Sequence, residues 1–135
     1  KIKRLSLVPT CFCLEALQKG TITLLSSGKQ YRDFISLNLF FKKLNYIIFN
    51  EKKFKNYIVN FSSGESIRII DMARLCKKIL SKILNKKIKI LIKNDKPKKS
   101  NKLFAESKNF KKIKKELIFK KIEENIHQII KKFNF

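Results

Sequence analysis

An α/β fold, with short strands interleaved with about five helices in a single domain, is what the sequence predicts. Segments whose apolar residues recur every three or four positions alternate along the chain with short runs that are β-branched or alternate apolar with lysine. Of 135 residues 44% are hydrophobic, which suffices for one domain with a core. No internal repeat or low-complexity linker divides the chain, so residues 1–135 are expected to form one region.

The elements follow in order. After Pro9, "TCFCLEALQKG" places Phe12, Cys13, Ala16 and Leu17 at helical spacing, and Gly20 ends that helix. "TITLL" follows as a short strand. "SSGKQ" turns at Gly28, and "YRDFISL" leaves the turn extended, before Asn38 as N-cap opens the helix "LFFKKLNYIIFN". The β-branched and aromatic run "NYIVNF", Asn56 to Phe61, reads as a strand broken by "SSGES". From Ser66 the positions Ile70, Ala73, Cys76, Ile79, Leu80 and Ile83 mark the best-defined helix.

"KKIKILIK" sets Ile88, Ile90 and Ile92 against Lys89 and Lys93, the pattern of a half-buried strand. "NDKPKKSNK" is a loop, followed by a short helix from Ser107 to Lys115. A last helix, Lys121 to Phe133, carries the stripe Ile122, Ile126, Ile129, Ile130 and Phe133. Glu123 and Glu124 fall in its first turn and Lys131 and Lys132 in its last, each sign where the helix dipole favours it.

The net charge of +23 invites a nucleic-acid reading, because lysines that neutralise phosphates supply most of non-specific affinity. Among the 33 basic residues only Arg4, Arg32, Arg68 and Arg74 are arginine; the lysines are spread along the whole chain, as solvated helix faces are. No zinc-finger spacing, helix-turn-helix signature or aromatic RNA-binding strand accompanies them. The joint abundance of Lys, Ile, Asn and Phe points to an A+T-rich coding sequence. No run of 18 apolar residues and no signal-peptide pattern is present, so a cytoplasmic protein with no membrane partner is expected.

Catalytic chemistry is sparse. Cys11, Cys13 and Cys76 lack the ligand count of a closed zinc site and read as buried or spare thiols, so no metal is expected. His127, the one histidine, lies among Ile126, Ile129 and Ile130 without a carboxylate or thiol at catalytic spacing, and reads as structural or surface. No catalytic residue is assigned. No Gly-rich strand-to-helix turn is present to cradle a phosphate.

Four stretches in order carry a likeness: "LVPTCFCLEALQKGTITLL", "SSGKQYRDF", "NYIVNFSSGESIRIIDMA" and "KPKKSNKLFAESKNFKK". They resemble the Val-Pro stretch with its helix and strand, the Gly-x-Gln-x-Arg-Asp-Phe turn, the Tyr-Asn-x-Gly-Ser-Gly-Glu segment, and the Arg-Pro-Gly-Asp loop with Ala-Asp-x-Ser-Lys of one family. That family is the extended short-chain dehydrogenases, the NAD-dependent nucleotide-sugar epimerases and dehydratases. The resemblance spans nearly the whole chain. It implies the C-terminal substrate-binding portion of such an enzyme, an extended Rossmann-type fold, with the nucleotide-diphosphate sugar as partner. It also implies NAD or NADP bound by an N-terminal half that this chain lacks, and a homodimer when intact.

By the same resemblance Arg32 binds the diphosphate, Lys96 stands at the second phosphate arginine, Val8 and Pro9 occupy the substrate-lining Val-Pro stretch, and Thr23, Leu24 and Leu25 flank the nucleobase. Chemistry agrees at Arg32, because a planar guanidinium holds two phosphate oxygens at once and cannot lose its charge. The plainer reading pairs Arg32 with the adjacent Asp33 or another surface carboxylate. Lys98 and Lys99 depart from the family's Gly-Asp; a lysine cannot accept the ribose hydroxyl bonds that an aspartate takes. Leu39 stands near a frequent aspartate, and the Gly-Trp after the short helix is missing.

The dinucleotide glycines and the Tyr-x-x-x-Lys pair of the family lie upstream of everything present here, so the chain alone is expected to be inactive. Two alternatives stand beside this expectation: a basic non-enzymatic module that binds nucleic acid or an acidic surface, and a decayed remnant of the enzyme.

Overall fold

The structure, a computed structural model, describes residues 7–55, 58–94 and 115–132. Helix α1, Val8–Lys19, carries Pro9 within its first turn, where a missing N–H costs nothing because that group has no partner inside a helix. The helix therefore begins before Pro9 instead of after it. It ends as expected at Gly20, whose φ of 66° turns the chain left-handed while its N–H donates to the Ala16 carbonyl. Strand β1, Thr21–Leu24, follows at once and pairs in parallel with β4, Lys89–Ile92.

Strand β2, Tyr31–Asp33, pairs antiparallel with β3, Ser66–Arg68, setting Arg32 opposite Ile67 and Asp33 opposite Ser66. Helix α2, Leu37–Ile48, is capped by Ser36 and not by Asn38: Ser36 is extended, and its Oγ accepts from the Leu39 N–H at 3.2 Å. The four-residue helix α3, Glu51–Phe54, was not anticipated. Helix α4, Ile69–Leu84, stops at Asn85, also left-handed, with φ 49°. Helix α5 is Lys115–Lys132.

The core lies where α1, α4 and α5 meet the β1–β4 pair. Ile22, Met72, Leu80, Ile88, Ile126, Cys13 and Cys76 are the largest of its fully buried side chains. Each fully buried aliphatic side chain of this size contributes on the order of 2 kcal/mol.

Four expectations need correction. Residues 58–61 form no strand, and Ile58 is 95% exposed: a strand-like composition extends the chain, but without a neighbouring strand it gains no ladder. Asn56 and Tyr57 lie outside the described residues. Ile83 and Ile92 are exposed, and among the described residues β4 pairs with β1 alone. Helix α5 begins at Lys115, so Glu123 and Glu124 lie in its middle and gain nothing from its dipole, whereas Lys131 and Lys132 do sit in its last turn. The expected short helix from Ser107 ends where α5 begins, and residues 107–114, Phe133 and the Ile122 side chain lie outside the described residues, as do Lys96, Lys98 and Lys99.

Candidate functional site

A groove of about 440 Å³ opens where the start of α1, the end of β2 and the middle of α5 converge. Leu7, Val8 and Pro9 form one wall, Arg32 to Ser36 the floor, and Asn125, Ile126 and Ile129 the other wall. Most of this lining is hydrocarbon, and the groove volume is in the range that small ligands occupy. Arg32, Val8 and Pro9, far apart in sequence, are thus brought together. The register with β3 fixes Arg32, and the buried Ile126 and Ile130 fix α5.

Arg32 is exposed at the groove. Its Nη1 donates to the Tyr31 carbonyl at 2.9 Å, and among the described residues no carboxylate meets it. Asp33 is occupied elsewhere: its two carboxylate oxygens accept from the Ser63 N–H at 3.0 and 2.9 Å. Behind it, the buried Lys43 donates from Nζ to the Ser62 carbonyl at 2.6 Å. Burial pulls the Lys43 pKa down, and the Asp33 charge restores part of it. The plainer reading of Arg32, a pair with Asp33, is therefore not what the chain adopts.

Two helix N-termini border the groove, α1 at Val8 and Pro9 and α2 at its Ser36 cap. First-turn N–H groups have no partner inside their own helix, and the helix dipole makes that end attractive to anions. An arginine fork and two helix starts around an apolar groove make a place where a compact anion attached to a less polar body fits.

Of the remaining expected site residues, the described Thr23, Leu24 and Leu25 do not line this groove. Glu15 accepts from the Thr23 N–H at 2.8 Å and from Thr23 Oγ1 at 2.5 Å, Leu24 is core, and Leu25 is 75% exposed. Sequence reasoning missed Phe34, Ile35, Ser36 and Asn125. Phe34 and Ser36 adjoin the Arg-Asp pair and were within reach; nothing local marks Asn125, since only packing of α5 brings it there.

His127 is exposed on α5. Cys13 and Cys76 are buried against each other between α1 and α4; the hydrogen bond to Cys13 and burial together push the Cys76 thiol far up, which leaves it an inert, protonated group. Among the described residues no cluster of metal-ligating side chains occurs, and no helix is long and apolar enough to cross a membrane.

No protein-family model and no curated protein matches the sequence. Solved structures do match the fold. The UDP-N-acetylglucosamine 4-epimerase of Methanobrevibacter ruminantium, in complex with UDP-N-acetylmuramic acid, superposes with a TM-score of 0.69 at 19% identity over 97% of this chain. The NAD-dependent NDP-hexosamine 5,6-dehydratase TunA of tunicamycin biosynthesis gives 0.62 at 20% identity over 97%. A GDP-L-fucose synthetase of Naegleria fowleri bound to NADP gives 0.65 at 16% over 94%. The chain has the α/β fold of part of these enzymes. It spans only about two fifths of their length, 41%, 41% and 39% respectively.

Proposed function

We propose that this chain is the C-terminal substrate-binding portion of an NAD(P)-dependent epimerase or dehydratase acting on nucleotide sugars, and that its groove holds the nucleotide diphosphate. The observation that carries this reading is the convergence of Arg32, Val8 and Pro9 with the N-termini of α1 and α2 around one apolar groove. The shared fold with three nucleotide-sugar enzymes supports it. So do the exposed Leu37, Phe41 and Ile48, which share one face of α2 and make the kind of surface that a further half of the protein covers.

The chain contains only three glycines, Gly20, Gly28 and Gly64, and no dinucleotide-binding turn, so its own residues do not fit NAD(P). We place that cofactor, and with it the transient oxidation of a sugar hydroxyl, in the other half. What the residues here do is bind and orient: Arg32 anchors the diphosphate, and the groove walls restrict the rest of the ligand, which lowers the entropic cost of reaction.

Calorimetric titration with UDP-N-acetylglucosamine tests this. The parent chain binds; Arg32→Ala weakens binding by roughly 2 to 4 kcal/mol, the worth of a charge-assisted bidentate contact. Arg32→Lys recovers only part, since one ammonium keeps the charge and loses the fork. An Arg32→Ala variant that binds like the parent yet melts several degrees lower makes Arg32 a structural residue and ends the proposal.

A further inference from the structure

A carboxylate stands next to Arg32 on the floor of the groove, and its charge has to be balanced before an anion can settle there. Asp33 lines the groove with Arg32; left to itself it would cancel the charge of the arginine and repel a bound anion. Both its oxygens accept from the Ser63 N–H, and from the other side Lys43 Nζ donates to the Ser62 carbonyl at 2.6 Å. That carbonyl and that N–H belong to one peptide link, which is trans, so they point in opposite directions. Lys43 therefore holds one end of the link and Asp33 the other, the cation at the C=O and the anion at the N–H, each sign where the peptide dipole favours it. Lys43, Ser62 and Ser63 are all buried, and the pairing of β2 with β3 fixes Asp33 opposite Ser66. Burial lowers the Lys43 pKa and the Asp33 charge raises it in turn, so the two groups feel each other across the link.

We propose that Lys43 is a positioning residue for anion binding: by clamping the 62–63 peptide against Asp33 it keeps that carboxylate engaged and its charge balanced, which leaves the Arg32 fork open for a diphosphate. This rests on the reading of the groove as a diphosphate site. Lys43 does not line the groove and acts on it through Asp33. Arg32 and Asp33 alone sum to no charge; Lys43 behind them restores an excess of one positive charge, the sign that a phosphate requires. Packing by itself does not call for a lysine at this point of α2. A buried ammonium is costly to desolvate, and an apolar side chain of similar length would fill the same space without that cost.

The test is calorimetric titration of the full chain with inorganic pyrophosphate at about 0.15 M salt, where the exposed lysines are screened, with melting curves alongside. Lys43→Met should weaken pyrophosphate about 10-fold, the effect of one unbalanced charge near a bound anion, and should lower the melting temperature. Adding Asp33→Asn to Lys43→Met removes the carboxylate that Lys43 balances, while the amide oxygen still accepts from the Ser63 N–H. The double variant should therefore regain binding to within about 2-fold of the parent even though it still melts lower. Unchanged binding in Lys43→Met, or a double variant as weak as the single one, makes Lys43 a structural residue only and overturns the proposal. Should Lys43→Met show no cooperative melt, Asp33→Asn alone decides: it should tighten pyrophosphate, and unchanged or weaker binding overturns the proposal. Arg32→Ala, titrated in the same series, separates the two readings. Its failure to weaken pyrophosphate ends the diphosphate reading, and the role of Lys43 with it, whereas a loss there beside an unaltered Lys43→Met ends the role of Lys43 alone.

Discussion

At the scale of single residues, neighbours decide what each of the three described arginines, Arg32, Arg68 and Arg74, does. Arg68 and Arg74 both reach Asp71, at 2.6 Å from Nε and 3.0 Å from Nη1, while Arg32 faces the groove with no acid. Burial alone would push the Asp71 carboxyl up, but the bonds and charge of Arg68, then those of Arg74, outweigh it and hold the group below the ordinary carboxylate value. A carboxyl lowered in the folded state stabilises the fold above its ordinary pKa, and that contribution disappears as pH falls through the folded value. Melting temperatures of the parent measured from about pH 6 down to pH 2 should therefore fall more steeply than those of Asp71→Asn, and identical acid limbs would show that the trio is energetically idle. Sequence alone exposed Arg32 through its motif-like setting. It did not expose the Asp71 trio, whose i, i+3 spacings are common on any charged helix.

Among the elements, the turn before β2 is the one on which the site depends. Gly28 has φ 69°, its carbonyl accepts from Ile70 N–H at 2.9 Å, and the Gln30 carbonyl accepts from Ile69 N–H at 3.1 Å. These bonds seat the start of α4 against the turn and so fix where β2 presents Arg32. A Cβ on Gly28 would stand 3.0 Å from both Ile70 Cβ and Leu24 Cδ1, whereas one on Gly20 would meet nothing within 4 Å. Gly28→Ala should destabilise the fold by about 2 kcal/mol or more, combining left-handed strain with overlap in the core. Gly20→Ala should cost about 1 kcal/mol from strain alone. Denaturant melts of the two variants check this, and equal losses would contradict the close approach at Gly28.

The elements α1, β1, β2, α2, α4, β4 and α5 were readable because helix and strand periods differ, and α4 in particular has Ile70, Ala73, Cys76, Ile79 and Leu80 all buried, whereas α3 was not anticipated and Ser66–Arg68, read as the opening of α4, form β3 instead. Residues 58–61 misled because propensity describes a half-buried pleated surface, and Ile58 has no such surface to join. The cap of α2 was displaced by two residues because Ser and Asn cap about equally well, and only the backbone shows which one is extended.

For the whole molecule, charge and site pull toward different partners. The described lysines of α2, α3 and β4 are mostly exposed, as solvated faces are; Lys43 is the buried exception. A chain of net charge +23 will bind DNA by counterion release alone, so binding should be weak, indifferent to sequence and lost steeply between about 50 and 200 mM salt. Titration against two unrelated duplexes at both salt concentrations measures this; sequence-selective, sub-micromolar binding at the higher one would favour the nucleic-acid module instead. The wall that Asn125 provides was invisible to sequence reading for a reason that belongs to this scale: it exists only once α5 packs on α1 and α4.

The claim on which the rest depends is that the groove beside Arg32 takes a diphosphate, and the structure of the chain with UDP-N-acetylglucosamine bound tests it most directly. The result expected is a diphosphate between the starts of α1 and α2, with the Arg32 guanidinium turned from the Tyr31 carbonyl onto two phosphate oxygens at about 2.7 to 2.9 Å. A diphosphate held on surface lysines, with Arg32 still bonded to the Tyr31 carbonyl and the groove bare of ligand, would contradict it.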